Sequence, residues 1–233
     1  MTATHFDSVA DVYDESLPAH VVEHYLAKRT AYVLEHCPPP AKALDVGCGT
    51  GVLAARLADA GYDLTGADPS AGMLDHLRRR RPDIAAVQAS GTELPFEADS
   101  FDVVLSVATF HHIAEPAAVR ATLAEMVRVS RPGGRVLVWD HNPRNPYWKL
   151  LMKRVPQDTG DERLIPEAEL LAGLQAAGAQ VLRSDQNGLV PDFVPERALP
   201  LAARLEGRVE GTRLIRRLGA HNVVLATKPG ART

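Results

Sequence analysis

The segment Asp45-Val46-Gly47-Cys48-Gly49-Thr50-Gly51 sets an acid and three glycines into a tight turn after the apolar run KALDV (42–46). Glycines there let the backbone bend sharply and approach a ligand more closely than a side chain would permit. A second acid, Asp68, closes the next apolar run, YDLTGAD (62–68). A carboxylate at that place can accept two hydrogen bonds from ribose hydroxyls. The dinucleotide fingerprint G-x-G-x-x-G would need a third glycine where Val52 stands. Asp45, two residues before the first glycine, suits a cationic amino group better than a pyrophosphate.

Residues able to move a proton lie further along. His111 and His112 follow FDVVLSVAT (101–109), and His141 lies in WDHNPRNPYW beside Asp140, Asn142 and Tyr147. Histidine titrates where a general base is useful, which makes His111 and His141 the candidates. The other reading of the HH pair is structural, with one ring tucked against the following helix. In LPAHVVEHYLAKR, His20, His24 and Lys28 recur at i, i+4 and i+8 on one helical face. That pattern reads as a solvated face or as a pocket wall. Two histidines do not specify a metal site, and no metal is expected. Cys48 reads as a small buried residue, and Arg78 to Arg81 as a solvated helix end that complements the helix dipole.

The elements that must position these groups alternate along the chain. KALDV, YDLTGAD, IAAVQAS (84–90), FDVVLSVAT, GRVLVWD (134–140), QVLRSD (180–185) and NVVLATK (222–228) read as strands. Helices are expected over Val52–Ala60, from an N-cap at Ser70 to Pro82, over about Ala117–Val129, and over PEAELLAGLQAAG (166–178). Nearly all-apolar strands alternating with helices imply a mostly parallel, doubly wound sheet covered on both faces. Residues 1–40 read as a helical cap with Tyr25, Leu26 and Tyr32 turned inward, 41–140 as the cofactor-binding core and 141–233 as the C-terminal part of a single domain.

The bulk composition narrows the classes. The chain has 233 residues, 45% of them hydrophobic and 24% charged, with a net charge of −3. Such a chain buries enough apolar surface to fold without staples. The charge balance argues against general nucleic-acid binding. Two cysteines, Cys37 and Cys48, make neither a disulfide framework nor a multi-cysteine zinc site, and they fit a reducing cytoplasmic setting. The N-terminal residues do not read as a signal peptide, and no apolar run is long enough to span a membrane.

ALDVGCGTG resembles motif I of the class I S-adenosylmethionine-dependent methyltransferases, and the similarity continues through TGADPSAGML, ELPFEADSFDVVLS, ATFHHI and EMVRVSRPGGRVLV. These segments keep the family order from about Leu44 to Val138. The resemblance implies a seven-stranded Rossmann-like sheet with an antiparallel last strand, and S-adenosyl-L-methionine as cofactor with S-adenosyl-L-homocysteine as product. It implies that Asp45 helps hold the methionine portion, while Gly47, Cys48 and Gly49 supply close backbone. Asp68 would bind the ribose, and Met73 would pack on an adenine face. Ser90 and Gly91 fall where the family often has an acid and a small residue near the adenine amine, so Ser90 departs from the pattern. Ser106 and Val107 match the segment approaching the methionine amine, and Tyr13 resembles a tyrosine that closes over the cofactor.

Methyl transfer from a sulfonium is an in-line displacement, which mainly requires alignment and exclusion of water. The expected activity is transfer to a small-molecule acceptor, at oxygen in the first reading and at nitrogen in the second. A non-catalytic S-adenosylmethionine-binding protein, a fold using the sulfonium for other chemistry, and an NAD-dependent oxidoreductase remain as rivals. Residues 187–220, too long for a hairpin loop, read as a substrate lid with an apolar face through Leu201, Leu205 and Val209. Its Arg204, Arg208, Arg213, Arg216 and Arg217 outnumber Glu206 and Glu210, which would suit an acidic substrate, an anionic surface or simply solvent. The acceptor would enter between the N-terminal helices, the 140–158 segment and this lid.

Overall fold

The computed structural model describes residues 3–152, 162–212 and 215–230. The N-terminal cap consists of α1 (Ala3–Val9) and α2 (Ala19–His36), followed by β1 (Lys42–Val46) and α3 (Val52–Asp59). Then come β2 (Asp63–Asp68), α4 (Ala71–Arg80), β3 (Ala85–Gln88), β4 (Phe101–Val107) and α5 (Pro116–Val129). The C-terminal part holds β5 (Ser130–His141), α6 (Trp148–Leu151), α7 (Glu167–Ala176), β6 (Gln180–Asn187), α8 (Leu199–Glu210) and β7 (His221–Thr227). All seven strands join one sheet in the order β3-β2-β1-β4-β5-β7-β6.

β7 runs antiparallel to both β5 and β6, and the other pairs are parallel. The carboxyl ends of β1, β2 and β4 therefore open on one edge, where ligands sit in open α/β sheets. Both faces of the sheet are sealed. Leu44, Val104, Leu123, Met126 and Val136 anchor one core, and Leu57, Leu77, Leu105, Trp139 and Val223 the other.

Local chemistry explains the elements that reach the edge. Ser70 caps α4 by accepting the Met73 N–H at 3.1 Å. Asp7 adds a second anchor, accepting the Ser70 hydroxyl at 2.6 Å and the Gly72 N–H at 2.9 Å. That pair docks α1 against α4 and brings Phe6 over the edge. Asp14 accepts the Thr50 hydroxyl at 2.7 Å and pairs with Arg80 at 2.5 Å. The short 3-10 turn Tyr13–Glu15 is thereby tied to the glycine turn.

The Arg78–Arg81 run is an exposed helix end as expected, its Arg78, Arg80 and Arg81 pairing with Asp75, Asp14 and the Asp59/Asp83 couple. Two expectations need correction. The His20–His24–Lys28 face is not solvated. His24 Nε2 lies 2.9 Å from a Glu206 carboxylate oxygen, Lys28 pairs with Glu206 and Glu210, and His20 Nε2 bonds to the Val194 carbonyl oxygen at 2.7 Å. The face is the seat of the 187–220 segment. Finally, that segment does not turn its leucines inward: Leu201 and Leu205 are exposed, while Glu206 is the buried residue of α8. Arg213 lies outside the described residues, as do positions 153–158 of the expected acceptor route.

Candidate active site

A cavity of about 420 Å³ opens at the carboxyl ends of β1, β2 and β4, a size ordinary for a small-molecule site. Gly47 and Gly49 form its floor with Asp68 and Met73, Ser90 and Gly91 form a side, and Phe6 and Tyr13 stand above. The glycines are required. At Gly47, φ is +75° and an added Cβ would lie 2.3 Å from Thr109 Cγ2, whereas at Gly49 the same position meets nothing within 4 Å. Gly49 thus presents bare backbone to open space, where a ligand can approach.

The amides of this turn are committed within the protein. Gly47 and Cys48 donate to the Ala67 carbonyl at 2.7 and 3.1 Å, and Gly51 donates to Cys48 at 3.0 Å. Asp68 accepts the Gly49 N–H through one carboxylate oxygen and the Ser70 N–H through the other, each at 2.9 Å. Among the described residues the walls hold Asp68 and Glu115, and no lysine or arginine. Asp45, 3% exposed, lies beneath them. Burial, then the charge of Asp68, pushes its carboxyl up to about 7 against the pull of Arg29. Burial likewise raises Asp68, against the hydrogen bonds from Ser70 and Gly49. This pocket favours a cation and gives a pyrophosphate no positive partner.

The remaining expected residues are distributed as follows. Met73 is buried in the floor at 1% exposure. Cys48 does not face the cavity. Its sulfur lies 2.8 Å from where a Gly66 Cβ would stand, and burial holds the thiol far above its ordinary range. Ser106 and Val107 are the last residues of β4 rather than residues beyond it. Strand alternation turns the Ser106 hydroxyl inward, where it donates to the Val46 carbonyl at 2.8 Å. Ala108 and Thr109, one and two residues later, line the cavity instead. Ala108 has φ +56°, a strained left-handed conformation that re-aims the chain there.

A column of rings leads inward from the cavity. His112, on its wall, stacks on His111 at 3.8 Å between centroids, His111 on His141 at 3.8 Å, and His141 on Trp148 at 3.6 Å. Asp140 organises it. One carboxylate oxygen accepts His111 Nδ1–H at 2.9 Å and the His141 amide at 2.6 Å; the other accepts the Thr109 and Phe110 amides at 2.9 and 2.6 Å. Four donors thus occupy both oxygens, and the His111 ring is held in place through its Nδ1. His111, Asp140 and His141 offer ligand atoms within 4.8 Å of one another, as a metal site would. Asp140 is saturated, however, and the arrangement works as a hydrogen-bonded knot. Burial, then the neighbouring histidines, keeps His141 neutral well below its usual range.

Behind the column lie Tyr25 and Tyr32, expected to turn inward, together with Arg29 and His221, which sequence reasoning did not single out. Tyr25, Arg29 and Tyr32 share one face of α2 at i, i+4 and i+7. The Tyr25 ring meets His221 at 5.3 Å and Tyr32 meets Trp139 at 5.5 Å. Arg29 therefore projects between these contacts. Its Nε is buried without a hydrogen-bond partner, as are His141 Nδ1 and His221 Nδ1. The i, i+4, i+7 spacing was the available signal, and the identity of its partners was not.

Comparison with known proteins agrees with this geometry. A methyltransferase-domain family profile matches residues 44–138. The chain is 34% identical over 164 residues to a demethylmenaquinone methyltransferase of Renibacterium salmoninarum, covering 64% of this chain and 68% of that protein. It is 35% identical over 167 residues to the protein of that name from Paenarthrobacter aurescens, covering 66% and 62%. Among solved structures, a possible histamine N-methyltransferase from Thermotoga maritima superimposes with a TM-score of 0.68 at 19% identity, covering 97% of this chain and 98% of that one. Identity that low speaks for the fold alone, whereas the family profile and the sequence relatives speak for the family. The chain belongs to the class I S-adenosylmethionine-dependent methyltransferase family.

Proposed function

We propose that the protein methylates an oxygen of a small hydroxylated acceptor. The observation that carries this reading is a cavity walled by Asp68, Glu115 and His112, free of lysine and arginine among the described residues, with the carboxylate-oriented His111 one ring behind that wall. S-adenosylmethionine fits such a cavity because its sulfonium and ammonium are cationic. NAD does not, because the pyrophosphate would meet acids and committed amides.

In this reading Asp45 faces the ammonium end, backbone at Gly47, Cys48 and Gly49 lies along the ligand, and Asp68 holds the ribose hydroxyls. Met73 packs on one adenine face, with Ser90 and Gly91 at the amine edge and Tyr13 above. The role first assigned to Ser106 and Val107 passes to Ala108 and Thr109. When bound, the cofactor supplies an electrophilic methyl carbon and a neutral thioether leaving group. His111 Nε2 takes the acceptor's hydroxyl proton, and Asp140 stabilises the resulting imidazolium.

A second reading follows the relatives' names: the acceptor is demethylmenaquinone or a similar molecule, methylated at carbon. Transfer to nitrogen and cofactor binding without turnover are the remaining alternatives. Calorimetry with S-adenosylmethionine, S-adenosylhomocysteine and NADH, followed by product analysis on hydroxylated aromatics, separates them. The expected result is binding of the first two ligands only, with mass gain and the new methyl on oxygen. A new carbon–methyl bond moves the assignment to the second reading, and failure to bind either sulfur ligand withdraws both.

A further inference from the structure

α8 is built inside out. Ala202, Glu206, Val209 and Glu210 lie toward the protein, with Glu206 buried, while Leu201, Arg204, Leu205 and Arg208 point to solvent. The inward acids are held by α2: Lys28 pairs with both, His24 with Glu206, and the Leu189 N–H donates to Glu206 at 2.6 Å. The outward stripe, at i, i+3, i+4 and i+7, therefore combines leucines with arginines by construction, because the helix cannot rotate without breaking those pairs.

Neighbouring elements extend the stripe. α8 packs against the 3-10 turns that flank it. Phe193 is 70% exposed, Leu201 62%, Leu205 49%, Ile215 48% and Leu218 50%, an unusual concentration of bare large apolar side chains. Arg197, Arg204, Arg208 and Arg217 are exposed among them, against one exposed acid, Glu196.

We propose that this face docks on an anionic lipid bilayer, with Phe193, Leu201 and Leu205 entering the headgroup–acyl boundary and the arginines engaging lipid phosphates. Leucine and phenylalanine beside arginine match that boundary, since the guanidinium reaches up to the headgroups while its stem stays in apolar surroundings. A chain of net charge −3 needs such a local basic patch to approach an anionic surface. Among the described residues no helix is long and apolar enough to cross a membrane, so the contact is peripheral. Docking would set the segment that packs on Tyr25 and His221 at the lipid, and it stands whether or not the methyl acceptor is the one proposed above.

The test is sedimentation of the full chain with vesicles of phosphatidylglycerol and phosphatidylcholine in equal parts, and of phosphatidylcholine alone. The expected result is binding to the mixed vesicles that weakens with salt, and at least tenfold weaker partitioning for Leu201→Asp/Leu205→Asp and for Arg204→Glu/Arg208→Glu. All four positions are exposed, so thermal unfolding should match the parent, and circular dichroism checks this. A parent that stays in the supernatant, variants that partition equally, or a parent that dimerises through this face without binding vesicles would overturn the proposal.

Discussion

His111 Nδ1 donates to Asp140 at 2.9 Å, and the same carboxylate holds the backbone at Thr109, Phe110 and His141. Asp140 thus does two things at once: it orients the proposed base and it shapes the cavity wall. His111→Ala should lower kcat by about 10²-fold or more while S-adenosylhomocysteine affinity stays within a factor of about three. Asp140→Asn should lower kcat and also weaken cofactor binding, because its amide must turn a donor toward two of the four N–H groups. Single-turnover rates and calorimetry on the two variants check this. Equal kcat in His111→Ala and the parent removes the base.

Asp68 spends one hydrogen bond from each oxygen on Gly49 and Ser70 before any ligand arrives. Each oxygen retains a further lone-pair site, which is what paired ribose hydroxyls require. Asp68→Ala should weaken S-adenosylhomocysteine binding by about 1.5–3 kcal/mol, roughly ten- to a hundredfold. Adenosine, which keeps the ribose, should lose a similar factor, whereas methionine should lose little. Unchanged adenosine affinity would refute the ribose role.

The glycine turn was legible because its chemistry is local: Asp45 to Gly51 is one stretch of chain, and Asp68 falls at the end of the next strand by simple alternation. β1 spans the expected 42–46 and β2 starts one residue late, since apolar runs punctuated by glycine leave little choice. What depends on distant partners was not legible. His24 and Glu206 are 182 residues apart, so a helical repeat could reveal a common face but not what covers it. The same repeat found the Leu201–Leu205 stripe and misjudged its direction, because the inward face is stabilised by charge rather than by burial of apolar surface. Asp140 passed as a neighbour of His141, since backbone donors such as Thr109 N–H leave no trace in a list of side chains.

With Asp45 in its proposed role, cofactor binding and stability should both depend on pH, each in a definite direction. The Asp45 carboxyl is pushed up to about 7, chiefly by burial and then by Asp68, so the folded protein holds this proton more tightly than the unfolded chain does. The stability that follows is greatest below the unfolded carboxylate value and is lost as pH rises toward 7. Asp68 is shifted the same way. The ligand-free protein should therefore lose thermal stability between about pH 4.5 and 7.5, and Asp45→Asn should flatten much of that slope. Affinity for the cationic amino acid end should run oppositely, rising as Asp45 ionises. Titration calorimetry across this range checks both curves, and parallel slopes in parent and variant would assign the dependence elsewhere.

Glu206 is the pin of the 187–220 segment, accepting from the Leu189 and Val190 amides at 2.6 and 3.2 Å while pairing with Lys28 at 2.8 Å and His24 at 2.9 Å. Burial alone would raise its pKa, but Lys28, by charge and hydrogen bond, together with the Leu189 amide and His24, leaves it below the ordinary value. Its stabilising effect is therefore present above the unfolded carboxylate range and lost as pH falls through the folded one. Removing the acid leaves the Leu189 and Val190 amides without their acceptor and Lys28 with Glu210 alone, so Glu206→Ala should destabilise the protein by about 2–4 kcal/mol. Glu206→Gln keeps the shape and the amide acceptor but loses the ion pair, and should remain folded with a loosened segment. In that variant the acceptor KM should rise several-fold more than the S-adenosylhomocysteine Kd, because the segment packs on Tyr25 and His221 rather than on the glycine turn. A larger change in cofactor Kd than in acceptor KM would show that the segment does not form the acceptor side of the site.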